Sequence, residues 1–148
     1  MRGRRLAVAA VAALAFVAVS VVLARWLNEE NRERDAVLEL VRAEARGDAA
    51  AVARRLDGCA PDPRCRARVA AIVARVRRPG EVKILRLDSG TSYALGSKTG
   101  TTRVAWGVVD RGLPVVQCVV VRRKGSLLAG HSITLRRLSR PIGRESSC

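Results

Sequence analysis

The sequence predicts an α+β protein, in which an N-terminal transmembrane helix precedes three helices packed on a curved antiparallel sheet of four to five strands. Three observations predict this class: an uncharged apolar run near the N-terminus, apolar residues at helical spacing over 34–78, and alternation with a period of two after Glu81. Helices first and hairpin-linked strands afterwards give an α+β order. The 148 residues leave room for one domain beyond the N-terminal segment.

The N-terminal segment is the first predicted element. Three arginines within the first five residues precede the run 6–24, in which Ser20 is the only polar residue. These nineteen residues would reach about 29 Å as a helix, close to the hydrocarbon thickness of a bilayer. We therefore expect residues 1–27 to be a transmembrane anchor, with a signal peptide as the alternative. The arginines predict an N-terminus on the cytoplasmic side of the cell membrane and a domain on its outer side. If the segment is a cleaved signal peptide, the domain is secreted instead.

The rest of the chain divides into three parts by composition. Residues 28–35 are charged and lack apolar periodicity, which is typical of a short stalk or of a continuation of the preceding helix. Residues 36–138 are expected to form the domain, and residues 139–148 a C-terminal tail. Aromatic residues make up only 3% of the chain, so the core must consist of aliphatic side chains.

Three helices are expected to open the domain, and their ends are marked by local signals. Gly47 is suited to end the first helix, and Asp48 can cap the second one. Asp62 is a second N-cap, followed by Pro63 at the first helical position. The predicted helices span 34–46, 49–57 and 63–78.

The strands are predicted from alternating, β-branched segments separated by glycine-containing turns. At Ile84 and Leu85 two apolar residues follow one another, and this phase change predicts a bulge in the first strand. The predicted strands span 82–88, 91–95, 101–109, 115–123 and 127–137.

Four cysteines indicate two disulfide bonds in an exported domain. Four cysteines allow three pairings. Cys59 and Cys65 flank a short loop stiffened by proline, which favours local closure and leaves Cys118 to pair with Cys148. A zinc site is disfavoured because the spacing of the first two cysteines does not match a zinc knuckle and the single histidine is distant.

The sequence resembles the nuclear-transport-factor-2-like superfamily, whose cystatin-like domains are cone-shaped, and in particular its small membrane-anchored or secreted actinobacterial members. The segment Ala45-Arg46-Gly47-Asp48-Ala49-Ala50 carries the resemblance, because a Gly-Asp pair recurs there before the second helix. The hairpin-linked strands over 81–137 fit the sheet of the cone, and the resemblance covers roughly 33–138. Enzymes of this superfamily use a Tyr/Asp or His/Asp set, which cannot be placed here, whereas most anchored members look like accessory or binding domains.

The charge of the chain indicates attraction to anions. The formal net charge is +15, and residues 58–148 alone carry eighteen basic and five acidic side chains. Nucleic acid is disfavoured because the domain is expected outside the cell and offers few aromatic platforms for bases. The expected partners are anionic envelope polymers or lipid headgroups, besides the membrane spanned by the anchor.

Candidate ligand-pocket residues are Trp106, His131 and Tyr93, which are expected between the helices and the sheet. No catalytic residue, metal ligand or cofactor is assigned, since nothing in the sequence pairs His131 with a partner that would orient it. The sequence therefore predicts a membrane-anchored, extracytoplasmic accessory or binding domain. The alternatives are a secreted enzyme with a pocket around His131, and an exported cationic protein that binds anionic envelope polymers.

Overall fold

The chain folds into helices followed by a single antiparallel sheet, as a computed structural model of residues 2–90, 97–109, 111–126 and 130–148 describes it. The strands follow one another in the sheet in the order β1-β2-β3-β4. This α+β order agrees with the prediction, while the predicted strand 91–95 lies outside the described residues. The elements are α1 Arg2–Arg46, α2 Ala49–Arg55, α3 Pro63–Val76, β1 Val82–Asp88, β2 Lys98–Val108, β3 Arg111–Ser126 and β4 Gly130–Leu138.

The predicted transmembrane helix is wrong. Within the described parts of the chain, no helix is long and apolar enough to cross a membrane. The prediction treated residues 6–24 as an element of its own, whereas they belong to α1, which continues through charged residues to Arg46.

The end of α1 and the starts of α2 and α3 lie where their local signals predict them, whereas α2 and α3 each end two residues before the predicted position, at Arg55 and Val76. Gly47 has a φ of 82°, the left-handed conformation that ends a helix at low cost only in glycine. The Asp48 carboxylate accepts the backbone N–H of Ala51 at 2.8 Å. Asp62 accepts that of Arg64 at 2.9 Å, and so caps α3. Each cap satisfies a helix N–H that would otherwise lack a partner.

The core lies between the helices and one face of the sheet. The second half of α1 contributes its stripe to this core, and β2 and β3 contribute alternate residues. Burial of these side chains, at about 25 cal/mol per Å² of apolar surface, is the main stabilising contribution. The largest fully buried apolar members are Trp106, Leu40, Ile72, Val37, Val41, Val52, Val76, Val104 and Val119.

Three irregularities interrupt the strand pairing among the described residues, and one of them lies in β2 between Trp106 and Val108. In β1 the register shifts between Ile84 and Arg86, which confirms the predicted bulge and leaves Leu85 63% exposed. In β4 the register shifts because Val120 pairs with Arg137 whereas Val121 pairs with Leu135. Arg136 is therefore an extra residue between them.

Two disulfide bonds join the cysteines as predicted, Cys59 to Cys65 and Cys118 to Cys148. The second bond and a hydrogen bond from Ile142 N–H to the Val116 carbonyl hold residues 139–148 against β3. Disulfides persist in oxidising compartments outside the cytoplasm, so this pair of bonds indicates an extracytoplasmic domain.

Candidate functional site

A carboxylate and a guanidinium are buried together between α1 and the sheet. Glu33 is fully buried and Arg123 is 4% exposed. Arg123 donates from Nη2 to Glu33 Oε2 at 2.6 Å and from Nε to the same oxygen at 3.2 Å. Ser89 Oγ donates to that oxygen at 3.0 Å, and Thr102 Oγ1 donates to Oε1 at 2.5 Å. We call these four residues the Glu33 cluster.

Periodicity explains why these polar side chains meet inside the domain. Glu33 lies four residues before Val37 and seven before Leu40, so it shares the core-facing stripe of α1. On the strands, Thr102 is in phase with buried Val104, and Arg123 is in phase with buried residues of β3. The predicted stalk 28–35 thus contains a residue that the fold places in the core.

Burial of this charged pair is costly, because each ion loses several kcal/mol of hydration. The pair offsets that cost by close contact and by the two hydroxyl donors. Buried pairs of this kind are weak evidence for stability. The cluster is therefore a reason to look for a ligand site beside it.

A cleft of about 330 Å³ lies beside the Glu33 cluster. Arg34 and Arg86 contribute exposed guanidinium groups to it, and the Arg86 Nε donates to Asp88 Oδ1 at 2.9 Å. The bulge in β1 directs Leu85 into the same cleft. Guanidinium and apolar groups side by side suit a small molecule with an anionic group and a short aliphatic part. Residues that line the cleft include Asn31, Glu33, Arg34, Leu85, Arg86 and Ser89.

A second buried polar chain runs through the core from α1 to β2. Trp106 Nε1 donates to Gln117 Oε1 at 2.8 Å, and Gln117 Nε2 donates to Glu44 Oε1 at 3.0 Å. All three side chains are fully buried. Among the described residues, the other oxygen of Glu44 has no hydrogen-bond partner. Burial raises the pKa of Glu44 to about 7, although the Gln117 hydrogen bond opposes this shift.

Two of the three predicted pocket residues, Trp106 and His131, lie far apart along the sheet. Trp106 is a core residue that pairs with Val115 across β2 and β3, whereas His131 pairs with Gly125. These partners are ten residues apart on β3, which corresponds to roughly 33 Å of strand. Tyr93 lies outside the described residues, and the structure does not describe the His131 side chain.

Sequence reasoning missed the Glu33 cluster and the Glu44 chain. The available signal was a charged residue on an otherwise apolar stripe, at position 33 or 44 of α1, and Arg123 in the inward phase of the most apolar strand. In the described part of the chain, no group of three or more His, Cys, Asp or Glu side chains could hold a metal ion.

No family model matches the chain, and no curated protein or solved structure is similar to it. The resemblance to the cone-shaped superfamily therefore stays a prediction. The function has to be argued from the geometry of the sites alone.

Proposed function

We propose that this protein is an extracytoplasmic binding domain that holds a small anionic ligand in the cleft beside the Glu33 cluster. One observation carries the proposal: a carboxylate buried in the cleft wall is held by donors from three separate segments of the chain. Such an arrangement fixes the shape of the wall before any ligand arrives. Pre-organisation of this kind lowers the entropic cost of binding.

Binding is favoured over catalysis by the way Glu33 is neutralised. A general base needs a lone pair that can accept a proton within reach of a substrate. Here both carboxylate oxygens of Glu33 already accept hydrogen bonds, and the Arg123 guanidinium balances its charge. A carboxylate held in this way is a poor base and a good structural support.

The domain architecture is part of the same proposal. Three helices on an antiparallel sheet, with a Gly-Asp pair between α1 and α2, are consistent with a small member of the cone-shaped, nuclear-transport-factor-2-like superfamily. Two disulfides support work outside the cytoplasm. The accessory and binding members of that superfamily are the expected functional class.

The test is a thermal-shift screen of the disulfide-bonded protein against small carboxylates and phosphate esters with short aliphatic groups. A ligand at about 100 times its Kd would stabilise the fold by about 2.7 kcal/mol and raise Tm by several degrees. Arg34→Ala and Leu85→Ala, which alter exposed cleft residues, should each abolish most of that shift.

The matched control is Arg75→Ala, because Arg75 is an exposed arginine of α3 that does not line the cleft. It should leave the shift unchanged. The proposal is wrong if no compound of the screen gives a shift, or if Arg34→Ala and Arg75→Ala reduce it equally. Conversion of a bound compound into a product would overturn the choice of binding over catalysis.

A further inference from the structure

A groove between α3 and β4 presents arginines from both of its sides. It is an open groove with a volume of about 180 Å³. Arg68 comes from α3, whereas Arg136 and Arg137 come from β4. All three side chains are exposed at the groove, while its floor consists of buried apolar residues that include Val69 and Ile72.

The bulge in β4 explains how two successive residues reach the same groove. In a regular strand Arg136 and Arg137 would point to opposite faces of the sheet. Because Arg136 is the extra residue between the pairs of Leu135 with Val121 and of Arg137 with Val120, the alternation is broken there. Bulges re-aim side chains in this way and are common beside binding sites.

The charges that face the groove leave it positive. Asp62 also lines it, but its carboxylate caps α3 through the Arg64 N–H. Asp57 lies 4.0 Å from the Arg136 guanidinium, and both side chains are about half exposed, so this contact is weak. Within the described ranges, no acidic side chain pairs with Arg68 or Arg137. An anion would therefore meet the guanidinium groups of Arg68 and Arg137 outside any ion pair, in a groove whose three arginines outnumber its two carboxylates.

Covalent and backbone links fix the two sides of the groove. The disulfide between Cys59 and Cys65 lies in its wall. Leu56 forms a parallel bridge with Leu135, and Asp57 N–H donates to the Leu135 carbonyl at 2.8 Å. These links tie the loop before α3 to β4. The backbone that carries the arginines is thus already ordered before an anion binds, so binding does not have to pay for ordering it.

We propose that this groove binds phosphate groups of a phosphate-bearing polymer outside the cytoplasm. Guanidinium groups match phosphate oxygens in bidentate geometry, and three arginines line this groove. A polymer is favoured over a single phosphate because further exposed arginines, Arg64 and Arg140, extend the positive charge beyond the groove. This proposal needs only the extracytoplasmic location argued above. The groove shares no lining residue with the cleft beside Glu33, so either proposal can fail alone.

The experiment measures binding of inorganic polyphosphate to the disulfide-bonded protein, across a range of salt concentrations. The test variant is Arg68→Gln/Arg136→Gln/Arg137→Gln. The matched control is Arg46→Gln/Arg54→Gln/Arg75→Gln, which removes three exposed arginines outside the groove and so changes the net charge equally. We expect the groove variant to lose about tenfold or more in affinity, and the control to lose less than about threefold. Inorganic phosphate should compete with polyphosphate for binding to the original protein and to the control variant. It should no longer compete for binding to the groove variant.

Equal losses in both triple variants would overturn the proposal, because bulk charge alone would then explain the binding. Unchanged affinity in the groove variant would overturn it as well. Vesicles that contain anionic lipid are the comparison ligand. If they bind more tightly than polyphosphate and lose binding only in the groove variant, the partner is a lipid surface and the proposed polymer is wrong. Thermal unfolding of both variants shows that the domain is still folded.

Discussion

At the residue scale, only one of the two oxygens of the buried Glu44 carboxyl group accepts a hydrogen bond among the described residues. A charged carboxylate there would lose its hydration without a balancing cation. Burial therefore raises its pKa to about 7 and favours the protonated form in the folded state. The unfolded chain would release this proton near the ordinary pKa of glutamate, about 4.3.

This difference predicts that stability falls as pH rises through neutrality. Below the unfolded pKa both states hold the proton, so the contribution is fully present, and it is lost as pH passes through about 7. Between pH 5 and pH 8 the free energy of unfolding should fall by roughly 3 kcal/mol because of this group. Glu44→Gln, which imitates the protonated form, should remove that slope. Urea unfolding of both proteins at three pH values measures it.

A pH profile of Glu44→Gln parallel to that of the original protein would contradict this assignment. The comparison is made between the two proteins, because Glu39 titrates in the opposite sense. Hydrogen bonding to Arg42 lowers the pKa of that exposed glutamate. Its contribution is present above the unfolded pKa and is lost as pH falls, and it cancels in the difference between the two profiles.

At the element scale, the ion pair between Glu33 and Arg123 joins α1 to β3, across 90 positions of the chain. Arg123→Met would leave the Glu33 carboxylate buried without its cation, and should destabilise the domain by about 3–5 kcal/mol. The double variant Glu33→Leu/Arg123→Met should recover most of this loss, since apolar replacements of similar volume need no partner. Denaturant titration of both variants provides the comparison.

If the single and double variants were equally unstable, packing rather than the uncompensated charge would be responsible. That result would remove the electrostatic account of the cluster. If the single variant kept its stability, Glu33 would either be protonated or be hydrated by water that enters the core. A measured pKa of Glu33 near neutrality in that variant would then identify protonation as the reason.

Elements with local signals could be predicted from the sequence, whereas the site could not. Asp48 and Asp62 are caps because of their immediate neighbours, and the bulge at Leu85 follows from two successive apolar residues. The continuity of α1 is only one of two alternatives that the sequence leaves open, because the charged residues 28–35 suit a stalk as well as a continued helix. The Glu33 cluster was missed because its contacts cross 56 to 90 positions. Only the folded register of three strands brings these donors together.

At the scale of the whole molecule, the two disulfides should not contribute equally to stability. The chain-entropy relation gives about 3.7 kcal/mol for the loop between Cys118 and Cys148, and about 2.4 kcal/mol for the shorter loop between Cys59 and Cys65. The residue separations are 30 and 6. Replacing Cys118 and Cys148 by serine should therefore cost more stability than the same replacement of the other pair, as measured by urea unfolding.

The longer loop has a second reason to matter. The tail that it holds covers Val116, which is buried on the side of the sheet opposite the helices. Loss of the bond would free the tail and expose that residue to water. A larger loss from the pair Cys59→Ser/Cys65→Ser would reverse the expected order. It would indicate that closing the wall of the arginine groove stabilises the fold more than holding the tail does.

The hydrogen-bonded chain from Trp106 through Gln117 to Glu44 has an optical consequence. Indole emission depends on the electric field around the ring, and a charge appearing on Glu44 changes that field through one intervening amide. The sequence contains two tryptophans, so Trp26→Phe would leave Trp106 as the single indole emitter. Emission of Trp106 in the Trp26→Phe variant is therefore expected to change as Glu44 gains or loses its proton, while the protein stays folded.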